Sequence, residues 1–147
     1  MVVDIKYLNE DCRLKKGSPG AIAFDVRANI KEPVTIECGK SAMIPLGFCV
    51  DTKNAELGVF LLIRSGLAGK HGLTILNAVG VIDSDYRGEL MACIYNTGAQ
   101  GKAYTIEPLE RCGQVIFGEA TPVSLNEVDE LSSTDRGEGG FGSTGRG

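Results

Sequence analysis

Nowhere in this 147-residue chain do apolar residues recur every three or four positions over the length of a helix. Short apolar runs appear instead, each closed by glycine, proline, asparagine or aspartate. Val3, Ile5 and Tyr7 alternate with Asp4 and Lys6, the period of a half-buried strand. Ala21 to Ala28 predicts a second strand, with Ile22, Phe24, Val26 and Ala28 on one face and Asp25 and Arg27 on the other. Pro33 to Glu37, Ser41 to Asp51, Leu57 to Ile63, Lys102 to Ile106 and Arg111 to Phe117 continue the series. At least eight such strands with regular turns indicate an all-β sandwich, jelly roll or barrel.

The most informative stretch is Leu76 to Asn96, where the apolar runs Leu73–Ile82 and Leu90–Tyr95 flank a polar knot containing Asp83, Asp85, Tyr86 and Gly88. It reads as strand, tight turn, strand. Asn77 and Gly80 interrupt the first run, letting the backbone turn or come close to a flat ligand. Two readings stand side by side: a solvated hairpin turn, or carboxylates on a stiff scaffold that hold a water or a metal ion. A calcium loop is excluded, because Arg87 and Ile94 occupy ligand positions and no helical period flanks the segment.

Composition removes several function classes. A net charge of -4 gives no basic footprint for duplex nucleic acid. Five cysteines without CxxC spacing read as small buried hydrophobes in a reducing compartment. Neither a membrane span nor a signal-peptide core is found, so the expected location is cytoplasmic, or intracellular in a host cell if the chain is viral, and not secreted. The single histidine, His71, makes Ser-His or Cys-His catalysis improbable, and no Pro-Cys-x-x-Cys pair exists for a zinc deaminase. Gly39-Lys40-Ser41 is not a phosphate loop, since Val34 stands where the first glycine is required.

Two further segments carry polar groups suited to an anion. Arg64-Ser65-Gly66 follows a strand, and Ser65 could cap a short helical turn that leaves free amides beside a guanidinium; the alternative is a plain helix cap next to a surface arginine. Asp25 and Arg27 are either a strand-surface ion pair or charge placed near an anionic ligand. After Pro122 the composition shifts, and six of the last eleven residues are glycine. Such a tail cannot pack a core and is expected to be flexible, yet Arg136, Phe141, Ser143 and Thr144 give it the means to wrap a phosphorylated, aromatic ligand.

Five separated segments together resemble the trimeric deoxyuridine triphosphatase family: Ala23-Phe-Asp25-Val-Arg27-Ala, Arg64-Ser-Gly-Leu-Ala, Gly80-Val-Ile-Asp83-Ser-Asp85-Tyr86-Arg-Gly88, Arg111-Cys-Gly-Gln114, and Arg136-Gly-Glu-Gly-Gly-Phe141-Gly142-Ser143-Thr-Gly. Any one is weak; five in order are specific. The resemblance implies a jelly-roll-like (β-clip) barrel over residues 1–124 and an arm over 125–147 that closes on a neighbouring subunit's active site in a homotrimer. It also implies hydrolysis of dUTP to dUMP and pyrophosphate, which limits uracil in DNA and supplies dUMP for thymidylate synthesis.

On that resemblance, Asp83 would be the general base for the attacking water. Asn77, with the Gly80, Val81 and Ile82 backbone and Met91, would form the uracil slot, and Tyr86 would lie under the deoxyribose. Arg64, Ser65, Gly66 and Gln114 would hold phosphates, while Arg136, Phe141, Gly142 and Ser143 would reach over from the arm. Mg2+ would sit on the triphosphate oxygens, with Asp25 as an indirect ligand through water. Two departures stand out: Ala-Ile-Ala-Phe replaces the family's usual Ala-Gly-Tyr or Ala-Gly-Leu before Asp25, and Cys112-Gly113 replaces Ile-Ala. The related deoxycytidine triphosphate deaminase is disfavoured, because its catalytic glutamate position is Cys93 here. A non-catalytic trimer that signals nucleotide occupancy to a protein partner is a further alternative, and the chain has no inserted loop or extra domain that points to it.

Overall fold

The computed structural model describes residues 2–139. Its strands are β1 (Asp4–Tyr7), β2 (Lys15–Lys16), β3 (Phe24–Arg27), β4 (Val34–Ile36), β5 (Ser41–Pro45), β6 (Phe48–Asp51), β7 (Leu57–Ile63), β8 (Leu73–Ile75), β9 (Gly80–Ile82), β10 (Met91–Asn96), β11 (Tyr104–Ile106) and β12 (Arg111–Glu119). The helix α1 (Ser65–His71) follows β7. The expected all-β class holds. The run read as one strand over 41–51 is two, because Gly47 turns the chain with φ 77° and a Cβ there would lie 2.8 Å from Cys12 Cβ.

The expected closed barrel does not form. The strands pair as four separate sheets, in the orders β1-β6, β5-β10-β8, β11-β4 and β2-β3-β12-β7-β9. The edges explain why. β2 is two exposed lysines, and a short charged edge of this kind resists a further strand. β9 is three residues long and ends at the polar knot.

The sheets share one core. Alternation along β7 buries Leu57, Val59 and Leu61, and along β10 it buries Ala92, Ile94 and Asn96. Val26, Ile36, Ile44, Phe48, Leu73, Ile106 and Val115 pack in the same cluster. Each fully buried aliphatic or aromatic side chain contributes roughly 1.5–3 kcal/mol. That is how strands of three residues, too short to be held by their own ladders, stay in place. Ile22 departs from expectation: it is 83% exposed, because β3 begins only at Phe24. Buried Asn96 donates from Nδ2 to the Ile36 and Lys102 carbonyls at 3.0 and 2.9 Å, tying β10 to β4. No helix among the described residues is long and apolar enough to cross a membrane.

Burial pushes the Cys112 thiol up from 9.0 to about 12. Burial also raises Tyr104, helped by its hydroxyl donating to Glu110 at 2.5 Å. Both groups stay protonated in the folded chain while the unfolded chain ionises, so their contribution is complete below about pH 9 and is lost as pH rises toward 12. The melting temperature should therefore drop from pH 9 upward. In Cys112→Ala, calorimetry across this range should find a shallower decline.

Candidate functional site

At one end of the five-stranded sheet, Asp25 on β3 faces Gln114 on β12 in register. Asp25 is only 8% exposed, not the surface residue that strand alternation suggests. An uncompensated carboxylate at that depth is costly, and three neighbours compensate it. Arg111 Nη1 donates to Oδ2 at 3.0 Å, Gln114 Nε2 donates to Oδ1 at 3.2 Å, and Arg64 Nε lies 3.4 Å from Oδ1. Arg64 also donates to the Arg111 carbonyl at 3.3 Å. Arg27 does not pair with Asp25; it donates to the Leu109 carbonyl at 2.7 Å.

Both guanidiniums keep further donors, since each carries five. Their side chains remain 30% and 47% exposed for Arg64 and Arg111. Ser65 and Gly66 open α1, ahead of the first helical bonds from the Leu67 and Ala68 amides to the Arg64 carbonyl. Ser65 is not the cap: that position belongs to Arg64, whose side chain makes no capping bond. Two arginines against one carboxylate leave this end locally positive.

The other part of the site is a cleft, and it differs from the expected hairpin. β9 pairs only with β7, whereas β10 pairs with β5 and β8, so no ladder joins the two strands on either side of the polar knot. Between the diverging sheets lies a cavity of about 320 Å³ lined by Asn77, Gly80, Val81, Ile82, Met91 and Cys93, among others. Asn77 stands in a tight turn closed by Val79 N donating to the Asn77 carbonyl at 2.7 Å, with Ala78 at φ 64°. Gly80 keeps β9 close to β7, since a Cβ would come within 3.1 Å of Leu61 Cβ.

Asp83 lines a neighbouring cavity of about 540 Å³ that shares Val81 and Ile82 with the first, so its carboxylate stands one residue past the cleft wall. Tyr86 stands beyond the residues that line the cleft, half exposed, with its ring against Gly88 and its hydroxyl donating to the Glu89 carbonyl at 3.1 Å. Met43, Ile75 and Cys93 also line the cleft, and sequence reading assigned them no role there. Cys93 shares a strand face with Met91 and was within reach of a period-two reading. Met43 enters only through its register opposite Cys93, which the sequence does not display.

Asp83 and the guanidinium cluster lie toward opposite ends of one sheet. Ile82 pairs with Val59 near the start of β7, while Gly113 and Gln114 pair with Ile63 and Leu62 at its end, just before Arg64. From Gly58 to Arg64 the strand covers roughly 20 Å at about 3.3 Å per residue. Arg136 belongs to neither part and donates to the Gly139 carbonyl at 2.8 Å within its own turn. Phe141, Gly142 and Ser143 lie outside the described residues. Among the described residues no group of three His, Cys, Asp or Glu side chains is placed to hold a metal ion.

Two guanidiniums gathered at the start of α1, and a cleft with a carboxylate one residue beyond its wall, both on an all-β scaffold, are features suited to a nucleotide-binding protein. The family model of the dUTPases matches residues 12–145. The chain is 40% identical to a deoxyuridine 5'-triphosphate nucleotidohydrolase of Chromobacterium violaceum, covering 99% of this chain and 98% of that one. It is 41% identical to one of Leptothrix cholodnii over the full length of both. Among solved structures it resembles a G164S mutant of the Staphylococcus bacteriophage 80alpha dUTPase with dUpNHpp, at a TM-score of 0.84 and 25% identity over 99% of each chain. The chain belongs to the dUTPase family.

The Tyr86 ring occupies the space a side chain at residue 88 would need: a Cβ on Gly88 would lie 2.6 Å from Tyr86 Cζ. Gly88→Ala should therefore expel the ring, moving the Tyr86 side-chain NMR resonances while leaving the far-UV circular dichroism unchanged.

Proposed function

We infer that this chain hydrolyses dUTP to dUMP and pyrophosphate by attack of water on the α-phosphorus, limiting uracil in DNA and supplying dUMP for thymidylate synthesis. The observation that carries the reading is the cleft beside Asp83. At about 320 Å³ it has room for a pyrimidine base, and it is lined by the amide side chain of Asn77 and by Gly80, Val81 and Ile82. These groups pair with the edge of uracil, and Met91 closes the slot. Tyr86 meets the deoxyribose and leaves no room for a 2′-hydroxyl. Asp83 accepts the proton of the attacking water, a role worth about 10² to 10⁴ in rate.

Arg64, Ser65, Gly66 and Gln114 hold the phosphates. With roughly 20 Å of strand between them and Asp83, they serve the cleft of another copy rather than their own. This supports a homotrimer with shared active sites. The arm over 125–147, extending from the domain over 1–124, supplies Arg136, Phe141, Gly142 and Ser143 to a neighbouring site, with Phe141 stacking on the base. Leu125 and Leu131, 95% and 89% exposed, lie uncovered in the single chain, which supports docking of that arm elsewhere. All five cysteines are free, which supports a reducing, intracellular location.

The donor set at Asp25 fits an indirect metal contact. A carboxylate offers about four lone-pair sites, and three are taken by Arg111, Gln114 and Arg64. The remaining one on Oδ2 can accept from a metal-bound water, whereas two flanking guanidiniums oppose direct ligation. Magnesium held by the triphosphate oxygens would neutralise charge on the leaving pyrophosphate.

Pyrophosphate release measured on dUTP, dTTP, dCTP and UTP should be rapid with dUTP alone and faster with magnesium. Ammonia release from dCTP would overturn the reading in favour of deamination. Asp83→Asn should retain dUTP binding in titration calorimetry and lose at least about a hundredfold in turnover. Removal of residues 132–147 should reduce turnover far more than melting temperature, and equal loss of both would make the tail part of the core.

A further inference from the structure

The turn that carries Asp83 and Tyr86 belongs to no sheet. β9 stops at Ile82, β10 starts at Met91, and the two strands join different sheets. Within the turn the backbone supplies one bond, from the Tyr86 amide to the Asp83 carbonyl at 3.1 Å. A two-residue hairpin would have fixed these side chains through its ladder. Here side chains must hold the turn.

Two of them reach outside it. Glu89 Oε1 accepts from the Gly47 amide at 2.7 Å and from Asn29 Nδ2 at 3.0 Å, which fixes the exit toward β10. Arg87 fixes the apex. Its Nη1 donates to the Ser84 carbonyl at 2.7 Å and to the Tyr86 carbonyl at 3.2 Å, and its Nη2 donates to Asp51 Oδ1 at 2.8 Å. Asp51 is itself set in place: it ends β6, pairs with Asp4 of β1, and the same oxygen accepts from the Lys53 amide at 3.0 Å. Lys53 in turn pairs with Asp4.

We propose that Arg87 is a positioning residue for hydrolysis, a strut that braces the Asp83–Tyr86 turn against Asp51 of the β1-β6 sheet. The proposal rests on the dUTP-hydrolysis reading of Asp83 and Tyr86. The guanidinium suits the task because its planar fork bridges two carbonyls and a carboxylate at once, which an ammonium group on a flexible stem does not reproduce. The side chains of Arg87 and Asp51 are 52% and 39% exposed, so as an ion pair they contribute little to folding. Their effect is on geometry. A displacement of about 1 Å at a reacting group costs up to about a hundredfold in rate.

The test compares wild type, Arg87→Ala, Asp51→Ala, the double variant and Arg87→Lys. The readouts are kcat/KM for dUTP, the dUTP-to-UTP ratio, melting temperature, and hydrogen exchange over residues 83–89. Arg87→Ala should lower kcat/KM by about ten- to a hundredfold and erode the dUTP-to-UTP ratio, with nearly unchanged melting temperature and faster exchange. Asp51→Ala should move the same quantities in the same direction, the double variant should be no worse than Arg87→Ala, and Arg87→Lys should not restore the ratio. Wild-type kinetics and exchange in Arg87→Ala, or losses that multiply in the double variant, would overturn the strut. If wild type fails on dUTP while exchange still quickens in Arg87→Ala, the nucleotide reading falls and the brace itself stands.

Discussion

The guanidinium cluster and the cleft are held on one frame by the ladder between β7 and β12, which runs unbroken from the pair Gly113–Ile63 to the pair Glu119–Leu57. β12 carries Arg111 and Gln114 to Asp25 on β3, and β7 delivers Arg64 to the same carboxylate. The far end of β7 holds β9, and through it Asp83. The fit along this ladder is close: a Cβ on Gly113 would lie 3.1 Å from the Leu62 carbonyl oxygen. The glycine in place of the family's usual alanine thus sits where β3, β12 and β7 crowd together.

Electrostatics follow from that geometry. The chain as a whole carries -4, so bulk charge repels a triphosphate. Attraction has to be local, and the Asp25 cluster provides it by gathering two guanidiniums around one carboxylate. The carboxylate orders the arginines without cancelling them. Its own burial is tolerable because each of its oxygens has a cationic or amide neighbour.

Much of this was legible in the residues. Leu57–Ile63 emerged with the bounds its apolar run gave. What could not be read is long-range pairing. The two apolar runs around Asp83 look like partners because they are adjacent in sequence, yet each found its mate elsewhere, β9 on β7 and β10 on β5 and β8. The closed barrel came from the family resemblance; periodicity left sandwich, jelly roll and barrel open, because it reports that a residue is in a strand and says nothing of whether the sheet closes. Of the two readings open for Asp25, the surface ion pair with Arg27 does not form, because alternation assumes one wet face and Arg64 and Arg111 cover that face. Arg87 gave no local signal, since its partner Asp51 is 36 residues away.

The position of β9 at the border of its sheet has one more consequence. Among the described residues its outer side has no neighbouring strand, and Val81 is 63% exposed. In most proteins such a border is a hazard, because unpaired peptide groups invite another chain to add itself. Here the same strand lines the cleft, so the border open to another chain is also a wall of the candidate site. On the reading proposed for the cleft, a ligand paired to β9 would also block strand addition at that border.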